Sequence, residues 1–281
     1  MRRTTPVRAA MAMALVFAIV ALTAQSANAQ RVAKKEYTGA QLNSNAFQTI
    51  SWTTTTMNSK FDPKEGDNLK SSKIIAKYKP EVDKLDWPIG HCPIGLSKSY
   101  PDSPLSNWAA DALLEFARGY WNNLHGNDKD GAIDFSMINF GGIRTDMPKG
   151  KVTKNHILSM FPFNNYLVFI EMSGENVEKL MNHFALTRAQ AMGNVKLIIE
   201  NKAVKECLIG GKPIERNGTY RLATIDFLLD GGDGLYTLKQ NKGVTKTDIK
   251  VMELMISYIE ELTAAGKQIK GSKDGRTVIV K

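Results

Sequence analysis

Apolar positions in this chain follow two periods. From Leu105 to Trp121, residues Leu105, Trp108, Ala109, Ala112, Leu113, Phe116 and Tyr120 recur three or four apart, which predicts an amphipathic helix. The same period predicts helices over Ser72–Asp83, Gly174–Leu186 and Thr247–Ala264, and a short one from Thr153 to Met160 with Thr153 as its cap. In the first of these, Ser71 or Ser72 is the candidate cap, with Ile74, Ile75, Tyr78 and Val82 on one face. Between the helices lie short runs that read as strands. They are Trp87–Leu96, interrupted by Pro88 and Pro93, then Ala132–Asn139 after an Asp130-Gly131 turn, Tyr166–Met172, Thr219–Thr224 and Arg276–Val280. Val195–Ile199 and Val204–Ile209 read as a hairpin about Asn201-Lys202. Hairpins interleaved with helices predict an α+β fold, a mixed sheet with flanking helices.

The N-terminus departs from this pattern. Met1-Arg2-Arg3 and Arg8 precede an uncharged stretch from Ala9 to Ala29 that ends in Ala27-Asn28-Ala29. A basic start, an apolar middle and an A-x-A ending predict a signal peptide over residues 1–29, cut near Ala29/Gln30. The apolar part is shorter than the ~20 residues of a membrane span. The expected location is therefore periplasmic or secreted. Residues 30–72 are rich in Thr, Ser, Asn, Gln and Lys and read as a polar arm or linker, leaving residues 73–281 as the folded domain. A net charge of +9 suits an anionic ligand, but the lysines are dispersed and form no nucleic-acid stripe. The two cysteines, Cys92 and Cys207, are compatible with a disulfide or with two buried thiols.

Candidate chemistry concentrates in three segments. The strand ending at Ile138 runs into Asn139-Phe140-Gly141-Gly142-Ile143-Arg144. Glycines admit a ligand close to the backbone, Arg offers a rigid fork of donors to phosphate or carboxylate, and Asn both donates and accepts. Phe161-Pro162-Phe163-Asn164-Asn165 precedes the strand from Tyr166, and Phe227-Leu228-Leu229-Asp230-Gly231-Gly232-Asp233-Gly234 follows the strand from Thr219.

With these three motifs in this order, the chain resembles the C-terminal, substrate-binding domain of the 5'-nucleotidases, which include periplasmic UDP-sugar hydrolases and ecto-5'-nucleotidases. The resemblance implies that Phe163 and Phe227 sandwich a nucleobase. It implies that Asp233 accepts from the ribose hydroxyls, that Asn139 and Asn165 contact the nucleoside, and that Arg144 binds near ribose and phosphate. Gly141, Gly142, Gly231 and Gly232 shape the pocket. The family commonly carries an Arg in an R-x-x-E context before the helix at Leu105. That Arg falls at Ser99 and the Glu near Asp102, with Lys98 and Tyr100 as neighbouring substitutes.

Complete 5'-nucleotidases also carry a metallophosphoesterase domain with D-x-H, G-D-x-x-D, G-N-H-[DE] and G-H-x-H motifs, none of which occurs here. Two-metal hydrolysis requires such ligands. The chain is therefore expected to hold no cofactor of its own and no catalytic residue. Divalent metals are expected on a separately encoded phosphoesterase partner. The functional expectation is an exported nucleotide- or nucleoside-binding domain acting with that partner in nucleotide dephosphorylation and catabolism. The alternatives are a non-catalytic nucleoside-binding protein for uptake and a structural remnant.

Overall fold

The computed structural model describes residues 66–126 and 132–280. The signal peptide, all but the end of the polar arm, and the Asp130-Gly131 turn lie outside the described residues. The chain divides into two compact units, residues 1–78 and 79–281.

In chain order the elements are α1 (Gly66–Leu85), β1 (Pro88–Cys92), α2 (Pro104–His125), β2 (Phe135–Ile138), β3 (Gly150–Thr153), α3 (Lys154–Met160), β4 (Tyr166–Ser173) and α4 (Gly174–Leu186). There follow β5 (Ala191–Gly193), β6 (Val195–Glu200), β7 (Ala203–Ile209), β8 (Lys212–Pro213), β9 (Thr219–Ile225), α5 (Asp226–Leu229), β10 (Gly243–Lys250), α6 (Val251–Ala264) and β11 (Thr277–Val280). The fold is α+β with mixed sheets. The main sheet has the order β10-β4-β9-β2-β5, a second has β11-β6-β7-β8, and β1 pairs with β3.

Three of the helices are started by a capping side chain. Ser103 caps α2, its hydroxyl accepting from Ser106 N at 3.3 Å, and Pro104 occupies the first turn. Thr153 caps α3 in a capping box with His156. Ser173 caps α4. The stripe of α2 is buried from Leu105 to Leu113 against β2 and β5, while Phe116 and Tyr120 are partly buried. The β6–β7 hairpin turns at Asn201 and Lys202, with φ of 51° and 61°, as the expected two-residue turn requires.

Two expectations are corrected. Helix α1 begins before Ser71 and Ser72, which therefore do not cap it, and Ile74, Ile75, Tyr78 and Val82 are exposed rather than forming a buried face. The segment Thr247–Lys250 is not helical; it ends the edge strand β10, and α6 starts at Val251. Here the β-branched run Val244, Thr245, Thr247 pairs with β4, and Thr247 Oγ1 donates to Leu167 O at 2.8 Å across a bulge. The helical period is real only from Val251, whose buried stripe continues through Leu254, Met255 and Ile259. The cysteines are both free: Cys92 lies buried in β1 and Cys207 half-buried in β7.

The topology decides where the loops go. Strand β9 runs parallel to β2, so both end at the same edge of the sheet. Strands β4 and β10 bracket that edge, because β4 is antiparallel to β9, and β10 to β4. Strand β5 starts there too, with Ala191 opposite Ile138. All three sequence motifs, distant along the chain, therefore emerge at one sheet edge.

Candidate functional site

At that edge a small cavity is lined by Ile138, Asn139, Gly142, Phe161, Phe163, Asn165, Ile225 and Val251. It encloses only about 10 Å³, room for a single water. Asp233, Arg144 and Gly141 are tied to its lining or to one another by the contacts that follow. Asn139 Nδ2 donates to Asp233 Oδ2 at 3.3 Å, bridging the first motif to the third. Arg144 sits 5.8 Å from the centre of the Phe163 ring and its Nη1 donates to Gly141 O at 3.2 Å, bridging the first to the second. Phe227, Gly231, Gly232, Asp233, Gly141 and Arg144 do not line the cavity itself.

The local backbone follows from the residue types. After β2 the chain makes a short 3₁₀ turn, Phe140–Gly142, that folds over Asn139. A Cβ at Gly142 would stand 2.4 Å from Asn139 Oδ1, so only glycine admits that side chain. After β9 the four-residue helix α5 leads to Gly231 at φ 94° and Asp233 at φ 53°, a left-handed reversal that lifts the Asp233 carboxylate toward Asn139. A Cβ at Gly232 would meet the Phe227 ring at 2.4 Å, so that glycine is the bed on which the ring lies.

Phe163 and Phe227 are 46% and 42% exposed. Among the described residues neither pairs with another aromatic ring. Asn139, by contrast, is 6% exposed, and its Oδ1 is buried without a hydrogen-bond partner.

Gln190, Asp226 and Arg188 carry no sequence signal, whereas Lys98, Ser99 and Asp102 were singled out by the resemblance. Gln190 Nε2 donates to Asp233 Oδ2 at 3.0 Å while its Oε1 accepts from Phe140 N at 3.0 Å. Asp226 Oδ1 accepts from Tyr166 N at 3.0 Å and Phe227 N at 2.8 Å, fastening the start of β4 to α5. Lys98 Nζ donates to Phe140 O at 3.2 Å and to Ile143 O. Its pKa is lowered, first by desolvation and then by Arg144 and Arg188. Arg188 lies over the Tyr100 ring at 4.7 Å and the Phe140 ring at 5.7 Å. Ser99 reaches only Asp102 O, at 3.5 Å. The buried Asp102 accepts from Asn107 Nδ2 at 2.6 Å and from Gly275 N at 2.7 Å, which makes it a brace of the fold.

Among the described residues no group of three or more His, Cys, Asp or Glu side chains is placed to hold a metal ion. No described helix is long and apolar enough to cross a membrane.

Residues 88–240 match the model "5'-nucleotidase, C-terminal domain". The chain belongs to that family. It is 34% identical to Protein UshA of Yersinia enterocolitica over 146 residues, 49% of this chain and 26% of that protein. It is 28% identical over 210 residues to Silent protein UshA(0) of Salmonella typhimurium, covering 69% of this chain and 38% of that protein. The chain thus spans well under half the length of these relatives. Among solved structures, the 5'-nucleotidase precursor of Thermus thermophilus shares the fold with a TM-score of 0.62 at 20% identity, covering 84% of this chain and 47% of that one.

Proposed function

We propose that this chain is an exported nucleotide- or nucleoside-binding domain that works in nucleotide dephosphorylation with a separately encoded metallophosphoesterase. The observation that carries the reading is Asn139. Its Oδ1 is buried at a cavity wall with no donor, a state that costs about 1–3 kcal/mol. A ligand hydroxyl or amine relieves that cost. Beside it, Phe163 and Phe227 offer half-exposed ring faces, each able to stack a base for about 1–3 kcal/mol. The Asp233 carboxylate, an acceptor only, suits a sugar diol. Asn165 and Gly142 close the cavity floor, Gly141, Gly231 and Gly232 shape the rim, and Arg144 stands at its cationic side.

The cavity is too shallow to enclose a nucleoside, for which pockets run to about 300 Å³ or more. A ligand held here lies open on one side. That geometry supports a second body closing over it, which the phosphoesterase would provide along with metal activation of water. This chain's contribution is positioning.

Titration calorimetry of the chain with adenosine and with 5'-AMP, with Phe227→Ala alongside, tests the reading. Saturable binding weakened about 5- to 150-fold in the variant supports it, following the stacking range above. Binding of either ligand that Phe227→Ala leaves unchanged refutes the stacking role. Mixing with a purified phosphoesterase from a neighbouring gene tests the partnership; unchanged hydrolysis rates refute it.

A further inference from the structure

Asp233 stands on a loop that does little to hold it. Gly231, Gly232 and Gly234 flank it, with φ of 94° at Gly231 and 79° at Gly234, and Asp233 itself is exposed at φ 53°. Glycine-rich backbone is permissive, so the direction of the carboxylate is left to the bonds that reach the side chain. Among the described residues two do, and both end on Oδ2: Asn139 Nδ2 at 3.3 Å and Gln190 Nε2 at 3.0 Å.

Gln190 is the better placed of the two. It is 4% exposed and lies immediately before β5, whose first residue, Ala191, pairs with Ile138 of β2. The preceding Ala189 N donates to the Tyr100 hydroxyl at 3.2 Å. The other end of the amide is committed as well. Its Oε1 accepts from Phe140 N at 3.0 Å, and a backbone N–H can only donate. Oxygen therefore faces the turn after β2, and nitrogen faces Asp233 with a charge-assisted bond. One buried side chain thus spans the first and third motifs as a strut. It does not line the cavity, and among the described residues no hydrogen bond reaches Asp233 Oδ1, which stays open to a ligand.

We propose that Gln190 is a positioning residue that aims the Asp233 carboxylate, so that discrimination between a free ribose diol and a sugar lacking one depends on a side chain that touches no ligand. The proposal rests on the reading of Asp233 as sugar acceptor given above and adds what sets that acceptor's direction.

Titration calorimetry of the chain with adenosine and with 2',3'-dideoxyadenosine, which keeps the base and lacks both hydroxyls, tests it. The wild type binds adenosine at least tenfold more tightly. Gln190→Leu, similar in volume but without either bond, cuts that preference at least fivefold and leaves dideoxyadenosine within twofold. Gln190→Glu keeps an acceptor for Phe140 N but sets a second carboxylate against Asp233, so at pH 7.5 it loses the preference too. By pH 5 the pair takes up one proton, the bridging carboxyl donates as the amide did, and the preference returns; Gln190→Leu shows no return. Besides Asp233, the charged groups facing the introduced carboxyl are Arg188 and Lys98, which stand on the Phe140 ring and carbonyl and hold that proton uptake to lower pH. Should Gln190→Leu lose its cooperative unfolding, the two pH values of Gln190→Glu decide alone. Equal weakening of both ligands by Gln190→Leu overturns the positioning role and leaves the proposed function standing. So does a preference that Gln190→Glu keeps at pH 7.5 or fails to regain by pH 5. Equal binding of the two ligands by the wild type overturns the sugar role of Asp233 and that of Gln190 with it, while stacking is judged separately by Phe227→Ala. Failure of both ligands to bind overturns the two readings together.

Discussion

Replacing Asn107 tests how the domain's buried polar brace works. Asn107 is 4% exposed on the first turn of α2. Its Nδ2 faces Asp102 Oδ1 at 2.6 Å, Ser272 O at 2.9 Å and Asp274 Oδ1 at 3.2 Å. Asp102 is 2% exposed, and its other oxygen takes Gly275 N at 2.7 Å. Asn107→Ala removes one charge-assisted bond, worth about 1.5–3 kcal/mol, and one neutral bond worth about 1 kcal/mol. The expected loss is about 3 kcal/mol. With a urea slope of about 2 kcal/mol/M, the unfolding midpoint falls by about 1.5 M. Asn107→Asp supplies the discriminating result. It keeps the volume but points a third carboxylate at Asp102 and Asp274, so it destabilises more than Ala at pH 7. Crowding raises the folded-state pKa of the introduced carboxyl, so the deficit of Asn107→Asp shrinks as pH falls through the raised value. If Asn107→Asp is the milder variant at pH 7, packing rather than donated hydrogen bonds holds this corner, and the reasoning is wrong.

Other consequences can be checked independently. Gly232→Ala sets a methyl group 2.5 Å from Phe227 O and against its ring, so stability falls by about 1–3 kcal/mol and 5'-AMP binding weakens together with it; binding that survives intact excludes a role for the ring's position. Asp274 is held below its ordinary pKa of 3.8, first by its hydrogen bonds with Arg276. A depressed carboxylate contributes stability above its unfolded value and loses it as pH falls through the folded one, so Asp274→Asn flattens the stability profile below about pH 4; an unaltered acid limb contradicts this. Burial pushes the Cys207 thiol up to about 12, helped by Glu206, and buried Cys92 is raised as well. Both should resist a thiol reagent at pH 8 until the chain is unfolded; rapid labelling of the native chain refutes that.

Much of the fold was legible because its signals are local. The stripe of α2 and the cap at Thr153 need only a few neighbouring residues to read. The Asn-Lys hairpin is equally local. Strand β10 was hidden because Thr247–Lys250 leads directly into α6, and only pairing with β4 decides its conformation. The face of α1 has the right period, yet its residues stay exposed, since periodicity does not say what a face meets. The three site motifs were visible as motifs. Their convergence was implied only by the resemblance and not by the residues themselves, since it comes from β2 and β9 being parallel. Arg188, Gln190 and Asp226 escaped because each acts through contacts far along the chain, such as Gln190 with Asp233.

The carboxylate of Asp233 also fixes a direction. Because it can only accept, both amides on its Oδ2 must present nitrogen, which turns Gln190 Oε1 to Phe140 N and leaves Asn139 Oδ1 facing away. One charge thereby orients two amides that would otherwise be free to flip. What this part of the edge has left to offer is lone pairs, from Asn139 Oδ1 and the second oxygen of Asp233. Under the proposed function, a free vicinal diol would bring the protons that the Asp233 carboxylate lacks, while a sugar blocked at those oxygens would meet lone pair against lone pair.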